Sequence, residues 1–206
     1  MSIIVPEEFE CDKCHRKIPF TMIHSFNTAL NPELKEDVLN LKAFRIRCPD
    51  CGQETLLKYN FLYHDMTRQY MIKVIWDRNK LSETDPSPLK KIFPENQPAE
   101  YKYRFRKVFG YWQMLEKIRI FDAELNDYAV EVIKSFIRRK AHIPDDLELR
   151  FTGVRDGELI YTASNDSSWS CSLEQYSGLL EHISTDIPPE NDFVYVDESI
   201  FGRNSG

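Results

Sequence analysis

The apolar positions of this chain change period along its length, and each change marks an element. Residues 17–27 alternate, with Ile18, Phe20 and Met22 on one side, and predict a strand. Asn31-Pro32-Glu33 then reads as a helix start, with Asn as cap, Pro in the first turn and an acid beside it. That helix is expected to reach Leu41, burying Leu34, Val38 and Leu41 on one face. A short strand at 43–47 follows. Residues 54–63 and 68–76, rich in Leu, Tyr, Phe, Ile and Val, predict two strands joined by a turn at 64–67.

Prolines 86, 88, 94 and 98 interrupt residues 77–100, which read as an irregular connection carrying one short helix at 89–92. Residues 101–108 alternate Tyr/Lys/Tyr/Arg/Phe/Arg. The expectation is a half-buried strand with aromatics inside and cations in solvent. Helical spacing returns at 111–121 and again at 125–140, where Ala129, Val132, Ile133, Phe136 and Ile137 form one face. Arg138, Arg139 and Lys140 then complement the negative end of the second helix. Together the two predict an antiparallel helical hairpin. Asp156-Gly157 joins two alternating stretches, 147–155 and 158–164, as a β-hairpin, with a third strand expected at 169–171. Ser172 and Gln175 form a capping box opening a helix to about residue 183, and a last short strand is expected at 193–196. The fold class is therefore α+β, with a small antiparallel sheet, a helical hairpin, and a C-terminal β-hairpin plus helix.

Composition adds little except at the cysteines. With 42% apolar and 13% aromatic residues in 206, the chain is long enough to bury a real core. A net charge of −6 gives no global attraction to nucleic acid. Residues 101–140 carry an excess of Lys and Arg and residues 141–206 an excess of Asp and Glu, two segments that would neutralise each other side by side. The first ten residues hold three glutamates and no basic residue, unlike a secretory signal, and no apolar run spans a membrane. A cytoplasmic protein is expected, where clustered cysteines act as metal ligands or redox groups rather than disulfides.

Four of the five cysteines form two C-x2-C pairs, Cys11/Cys14 and Cys48/Cys51. Two such pairs complete a tetrahedral thiolate shell, and structural zinc, one ion per chain, is the reading favoured over a redox dithiol or another metal or cluster. Four thiolates on a divalent ion leave a net charge of −2. Lys13, Arg16, Lys17, Arg45 and Arg47, or backbone amides freed by Gly52, are expected to offset it. The intervening residues, 15–47, exceed the ~15–20 of a compact ribbon, so the helix at 32–41 is expected to lie within the insertion.

These residues also carry a resemblance. Cys48-Pro49-Asp50-Cys51-Gly52 resembles the paired Cys-Pro-x-Cys motif of the CpXC family, whose members are mostly prokaryotic. The first pair departs from that motif, with Asp12 in the place of Pro and His15 where Gly is common. Similarity continues through 31–35, 61–65, 115–118 and 120–122. It implies a zinc-ribbon-like, metal-binding domain over 8–140 that contains the 77–100 connection and the helical hairpin. The residues themselves predict a small acidic α/β region at 145–200 after it. No activity comes with the resemblance.

The expected function is accordingly a zinc-stabilised, non-enzymatic interaction or regulatory protein with an unidentified protein partner and no membrane association. One alternative is an enzyme using His64 and Asp65, with Tyr63 or Arg68 contributing. A second is nucleic-acid binding through the cations of 101–107 and 138–140, although alternation sets aromatics and cations on opposite faces. Cys171 has no activating neighbour in sequence, and is expected to be a small buried apolar group. No phosphate loop, H-E-x-x-H or G-x-S-x-G motif occurs.

Overall fold

The computed structural model describes residues 3–92, 102–187 and 192–199. They form two compact units, one of residues 1–111 with 191–194 and the other of residues 112–190 with 195–206.

The first unit is built on a five-stranded sheet in the order β1-β2-β5-β6-β7, from β1 (Ile3–Glu10), β2 (Lys17–Asn27), β5 (Phe61–Asp65), β6 (Tyr70–Ile75) and β7 (Arg104–Phe109). β1 and β2 pair antiparallel along their whole length, but β2 joins β5 in parallel over Ser25, Phe26 and Asn27 alone. The rest of the β1–β2 hairpin therefore stands clear of the sheet as a ribbon. β1 itself has no alternating pattern, with Pro6 and three glutamates, which is why the sequence does not announce it. A second, two-stranded sheet pairs β3 (Arg45–Arg47) with β4 (Glu54–Leu56).

The expected long strand at 54–63 is thus two strands serving two sheets. Between them the Leu57 amide donates to Phe44 O and the chain turns toward the main sheet. The expected turn at 64–67 also shifts: His64 and Asp65 close β5, and residues 66–69 make the turn. α1 (Glu33–Leu39) lies where predicted, with Val38 and Leu41 buried. Its cap falls on Pro32, one residue later than expected, and the Asn31 side chain donates to Glu33.

Both faces of the sheet are covered. On one, Phe44 from the turn after α1 sits 5.4 Å from the Phe26 ring and 4.7 Å from Phe61, and Tyr111 closes the stack at 4.5 Å from Phe44. On the other, Met71 and Phe105 meet Leu89 of α2 (Pro88–Ile92), Tyr103 and Phe193, with Leu62 beside them. Two-sided burial explains why β6 and β7 are buried almost residue after residue. It also corrects the expectation of a solvated basic face on 101–108. Arg106 and Lys107 are 1% and 3% exposed, and Lys107 Nζ donates to Lys80 O and Glu83 O beside Asp85. Lys80, Glu83, Asp85 and Phe193 lie over the Lys107 and Phe105 face, which alternation already turned inward, while Arg106, on the face assigned to water, is buried because the sheet is covered on that side as well. The strand expected at 193–196 is present as single bridges, Val194 to Arg106 and its neighbour Asp192 to Pro86.

β7 passes directly into α3 (Gly110–Asp122) through Gly110, at φ +67. A Cβ there would stand 3.2 Å from the Trp76 ring, so geometry and space both require glycine.

In the second unit, α3 and α4 (Asp127–Lys140) form the predicted hairpin. Asn126 caps α4 by accepting from the Tyr128 and Ala129 amides. β8 (Leu149–Arg155), β9 (Glu158–Ala163) and β10 (Ser168–Ser172) make a three-stranded antiparallel sheet whose first turn is Asp156-Gly157, both at positive φ. The capping box of Ser172 and Gln175 opens α5 (Leu173–Ile183) with both reciprocal bonds formed.

The buried face of α4 differs from the periodic reading. Phe136 is exposed under the Arg139 guanidinium, whereas Glu131 and Lys134 are buried. They belong to a charged cluster inside the hairpin. Lys117 Nζ lies 3.0 Å from Asp127 and 2.8 Å from Glu131, and Lys134 Nζ lies 3.0 Å from Glu116 and 2.9 Å from Glu131. Glu116 additionally accepts the Phe151 amide of β8 at 2.7 Å. Burial pulls the two ammonium groups down, but the carboxylates around them (Asp127 foremost for Lys117, Glu116 for Lys134) hold both above the usual lysine range.

Candidate metal centre

Two hairpins with the same local geometry bring the four thiols together. In the turn from β1 to β2, the Cys11 amide donates to Arg16 O and the His15 amide returns to Cys11 O. In the turn from β3 to β4, the Cys48 amide donates to Gln53 O and the Gly52 amide returns to Cys48 O. Each turn closes on a residue at positive φ, His15 at +57 and Gly52 at +71. The four Sγ atoms lie within 4.8 Å of one another, with Cys11 to Cys51 at 3.6 Å and Cys14 to Cys48 at 3.5 Å. Those separations exceed a disulfide by far and approach the edge of a tetrahedron around an ion with metal–sulfur bonds of about 2.3 Å. The donor set is all thiolate and closed, so the residues fit a tetrahedral soft-metal site with no position left for substrate.

The amides of the turns point at the sulfurs and decide their ionisation. The Cys51 amide, with that of Asp50, holds the Cys48 thiol down at about 7 against the cost of burial. The Cys14 amide, with that of Lys13, likewise lowers the Cys11 thiol against the cost of burial. At Cys14 the Arg16 amide pulls down, but burial and the neighbouring thiols of Cys48, Cys51 and Cys11 outweigh it and push the thiol up to about 12. Amides, more than side-chain cations, thus offset the thiolate charge. Arg16 stands 3.6 Å from Asp50 and Lys17 3.7 Å from Glu8, so both are engaged with carboxylates, while the Arg47 guanidinium lies close by Gly52. A small apolar cluster of Ile18, Ile46, Phe9, Phe20 and Leu57 backs Cys11 and Cys48.

His15 occupies the position that Gly52 occupies in the other turn, and its side chain does no more than reach Glu10 on the surface at 3.1 Å. His15→Gly should therefore stabilise the protein by about 0.5–1 kcal/mol by relieving the left-handed backbone. Denaturant unfolding of the two proteins at equal metal loading checks this.

The other candidate residues do not assemble. His64 and Asp65 are consecutive in a strand and face opposite sides of the sheet. His64 meets the Tyr103 hydroxyl at 3.0 Å, and Asp65 accepts from Lys35 and from the Arg68 amide. Burial pushes the His64 ring down, and the pair expected to act as base and orienter does not exist as such. Tyr63 shares the Asp65 face, stacked on Tyr70. His24 stands edge-on to Tyr59 at 6.0 Å and is not one of the groups gathered with the sulfurs. Cys171 is half-buried, and burial pushes its thiol up, so it is no activated nucleophile. The charged cluster of Glu116, Lys117, Asp127, Glu131 and Lys134 was missed because charged residues at helical spacing read as solvated faces.

No described helix is long and apolar enough to cross a membrane. Comparison with curated proteins and with solved structures gives no match. The family model described as CpXC protein matches residues 9–134, from just before the first cysteine pair into α4. With both cysteine pairs inside that match and their sulfurs gathered at one point, the chain belongs to the CpXC family.

Proposed function

We propose that the four-cysteine centre holds one structural zinc ion and that the protein is a non-enzymatic interaction or regulatory module working in the cytoplasm. The observation that carries this reading is the closed all-thiolate shell, Cys11, Cys14, Cys48 and Cys51, seated on amide-lined turns. When bound, such an ion fixes the two hairpins together and supplies charge neutralisation. The protein's own residues do the remainder, orienting the thiolates through backbone donors and shielding Cys11 and Cys48 in an apolar pocket. The lack of convergence at His64 and Asp65 favours this over the enzyme reading. The burial of Arg106 and Lys107 removes half of the 102–107 cations from any phosphate and weighs against the nucleic-acid reading. Elemental analysis of purified protein tests the proposal: one zinc per chain is expected, and stoichiometric iron would overturn it.

Metal loading should also depend on pH in a definite direction. In the metal-free protein at neutral pH, Cys14 keeps its proton, because its thiol is raised to about 12. Binding a divalent cation must displace that proton, so affinity rises with pH. Below about 7 the Cys48 thiol takes up a proton as well, and affinity falls more steeply. A chelator competition at about pH 6 and about pH 8 should show zinc affinity weakening by at least about tenfold per pH unit on the acid side. A flat profile would contradict the thiolate shell.

A further inference from the structure

The sheet of the first unit carries a pocket that the metal centre does not use. Its volume is about 420 Å³, the size of a small-molecule site, and it opens where His24 of β2, Leu62 of β5 and Lys73 of β6 meet residues 85–91 and Phe193. Leu62, Pro86, Pro88 and Phe193 supply an apolar lining. The wall is preformed, since the Phe193 amide donates to Asp85 O at 2.8 Å and Pro86 bridges Asp192.

Among the described lining residues, cations outnumber carboxylates. Asp85 is the one carboxylate among the described lining residues, and it is already engaged by Lys73 at 2.7 Å and by the buried Lys107 at 3.6 Å. Two lysines on one carboxylate leave a surplus positive charge at the pocket floor. Lys73 Nζ also lies 5.8 Å over the Phe193 ring. Lys91 adds a second cation at the rim with no described ion-pair partner. Asn60 spends its side-chain oxygen on the Trp76 amide, which leaves its NH2 group to donate. An apolar cavity whose described lining holds two lysines and a single carboxylate already bound by lysine favours an anion with an apolar body.

We propose that this pocket binds a small apolar monocarboxylate, its ring or branched chain against Leu62, Pro86, Pro88 and Phe193 and its carboxylate between Lys73, Lys91 and Asn60. The site stands on its own residues and does not depend on which metal the cysteines hold. Binding there would tie β2, β5 and β6 to residues 85–91, which gives a module without catalytic residues a way to respond to a metabolite.

The test uses the full chain with its metal loaded, and 2-naphthoate as the probe with its neutral counterpart 2-naphthamide. Amide NMR spectra should show saturable shifts at His24, Leu62, Lys73 and Phe193 with the acid, and about tenfold weaker binding of the amide. Lys91→Ala, at an exposed position, should weaken the acid about three- to tenfold without altering the free spectrum elsewhere. Leu62→Trp, filling the cavity, should abolish the shifts. Equal affinity for acid and amide, or shifts that map away from these residues, would overturn the proposal.

Discussion

Cys48→Ser is expected to lose the metal and melt the ribbon end of the first unit. The reason lies in how little else holds that end. β3 and β4 are three residues each, a length that is not stable alone, and the β1–β2 ribbon touches the main sheet through Ser25, Phe26 and Asn27. The apolar cluster behind the thiols is built partly from the ligands themselves, Cys11 and Cys48 among four buried residues. Structural zinc contributes on the order of 10–16 kcal/mol in small sites, against a total domain stability of about 5–15 kcal/mol. Removing one of four ligands forfeits most of that. Amide NMR of Cys48→Ser should show residues 9–23 and 45–56 losing dispersion, with the aromatic stack around Phe26, Phe44 and Phe61 the last part to hold. Cys171→Ser serves as the control, because its half-buried thiol reaches no further than Ser172 O, and it should stay within about 1 kcal/mol of the parent. A Cys48→Ser protein with a native spectrum would contradict the account.

Lys117→Met should be the most damaging substitution in the second unit. Lys117 is 2% exposed and neutralises Asp127 and Glu131, which are themselves buried at 0% and 2%. Truncating the charge leaves three buried carboxylates, Glu116, Asp127 and Glu131, around one remaining cation, Lys134. Breaking a buried ion pair in this way costs about 3–5 kcal/mol, and urea unfolding followed at the Trp169 region should register it. Replacing Lys117, Asp127 and Glu131 together by apolar residues of similar volume should cost far less, because no orphan charge remains. A loss below about 1 kcal/mol in the single variant would show that the cluster is solvated.

How far the sequence discloses all this depends on what enforces each feature. Local rules were enough where local chemistry decides. Asp156-Gly157 demanded positive φ and made its hairpin, Ser172 with Gln175 made a complete capping box, and the two C-x2-C pairs brought their four sulfurs to one point, placed to hold a metal ion. Periodicity failed where an element is covered from an unexpected side. Arg106 sits on the face of β7 that alternation gives to water and is buried nonetheless, and Lys107, on the opposite, aromatic face, is buried with the Lys80 and Glu83 carbonyls as partners. Glu131 and Lys134 read as the polar face of α4, and they are buried because Lys117 and Glu116 of α3 complete them. β1 carried no pattern at all, since its ribbon exposes Ile3 and Ile4 and buries almost nothing. The conclusion about His64 and Asp65 turned on a two-residue shift of a turn. In a turn their side chains converge; at the end of β5 they must diverge.

X-ray absorption of the protein as purified tests the central claim most directly, because it reads both the element and its neighbours. The account predicts zinc with four sulfur neighbours at about 2.3 Å and no nitrogen or oxygen in the shell. Iron at that position, a mixed sulfur and oxygen shell, or a folded ribbon with no metal bound would contradict it.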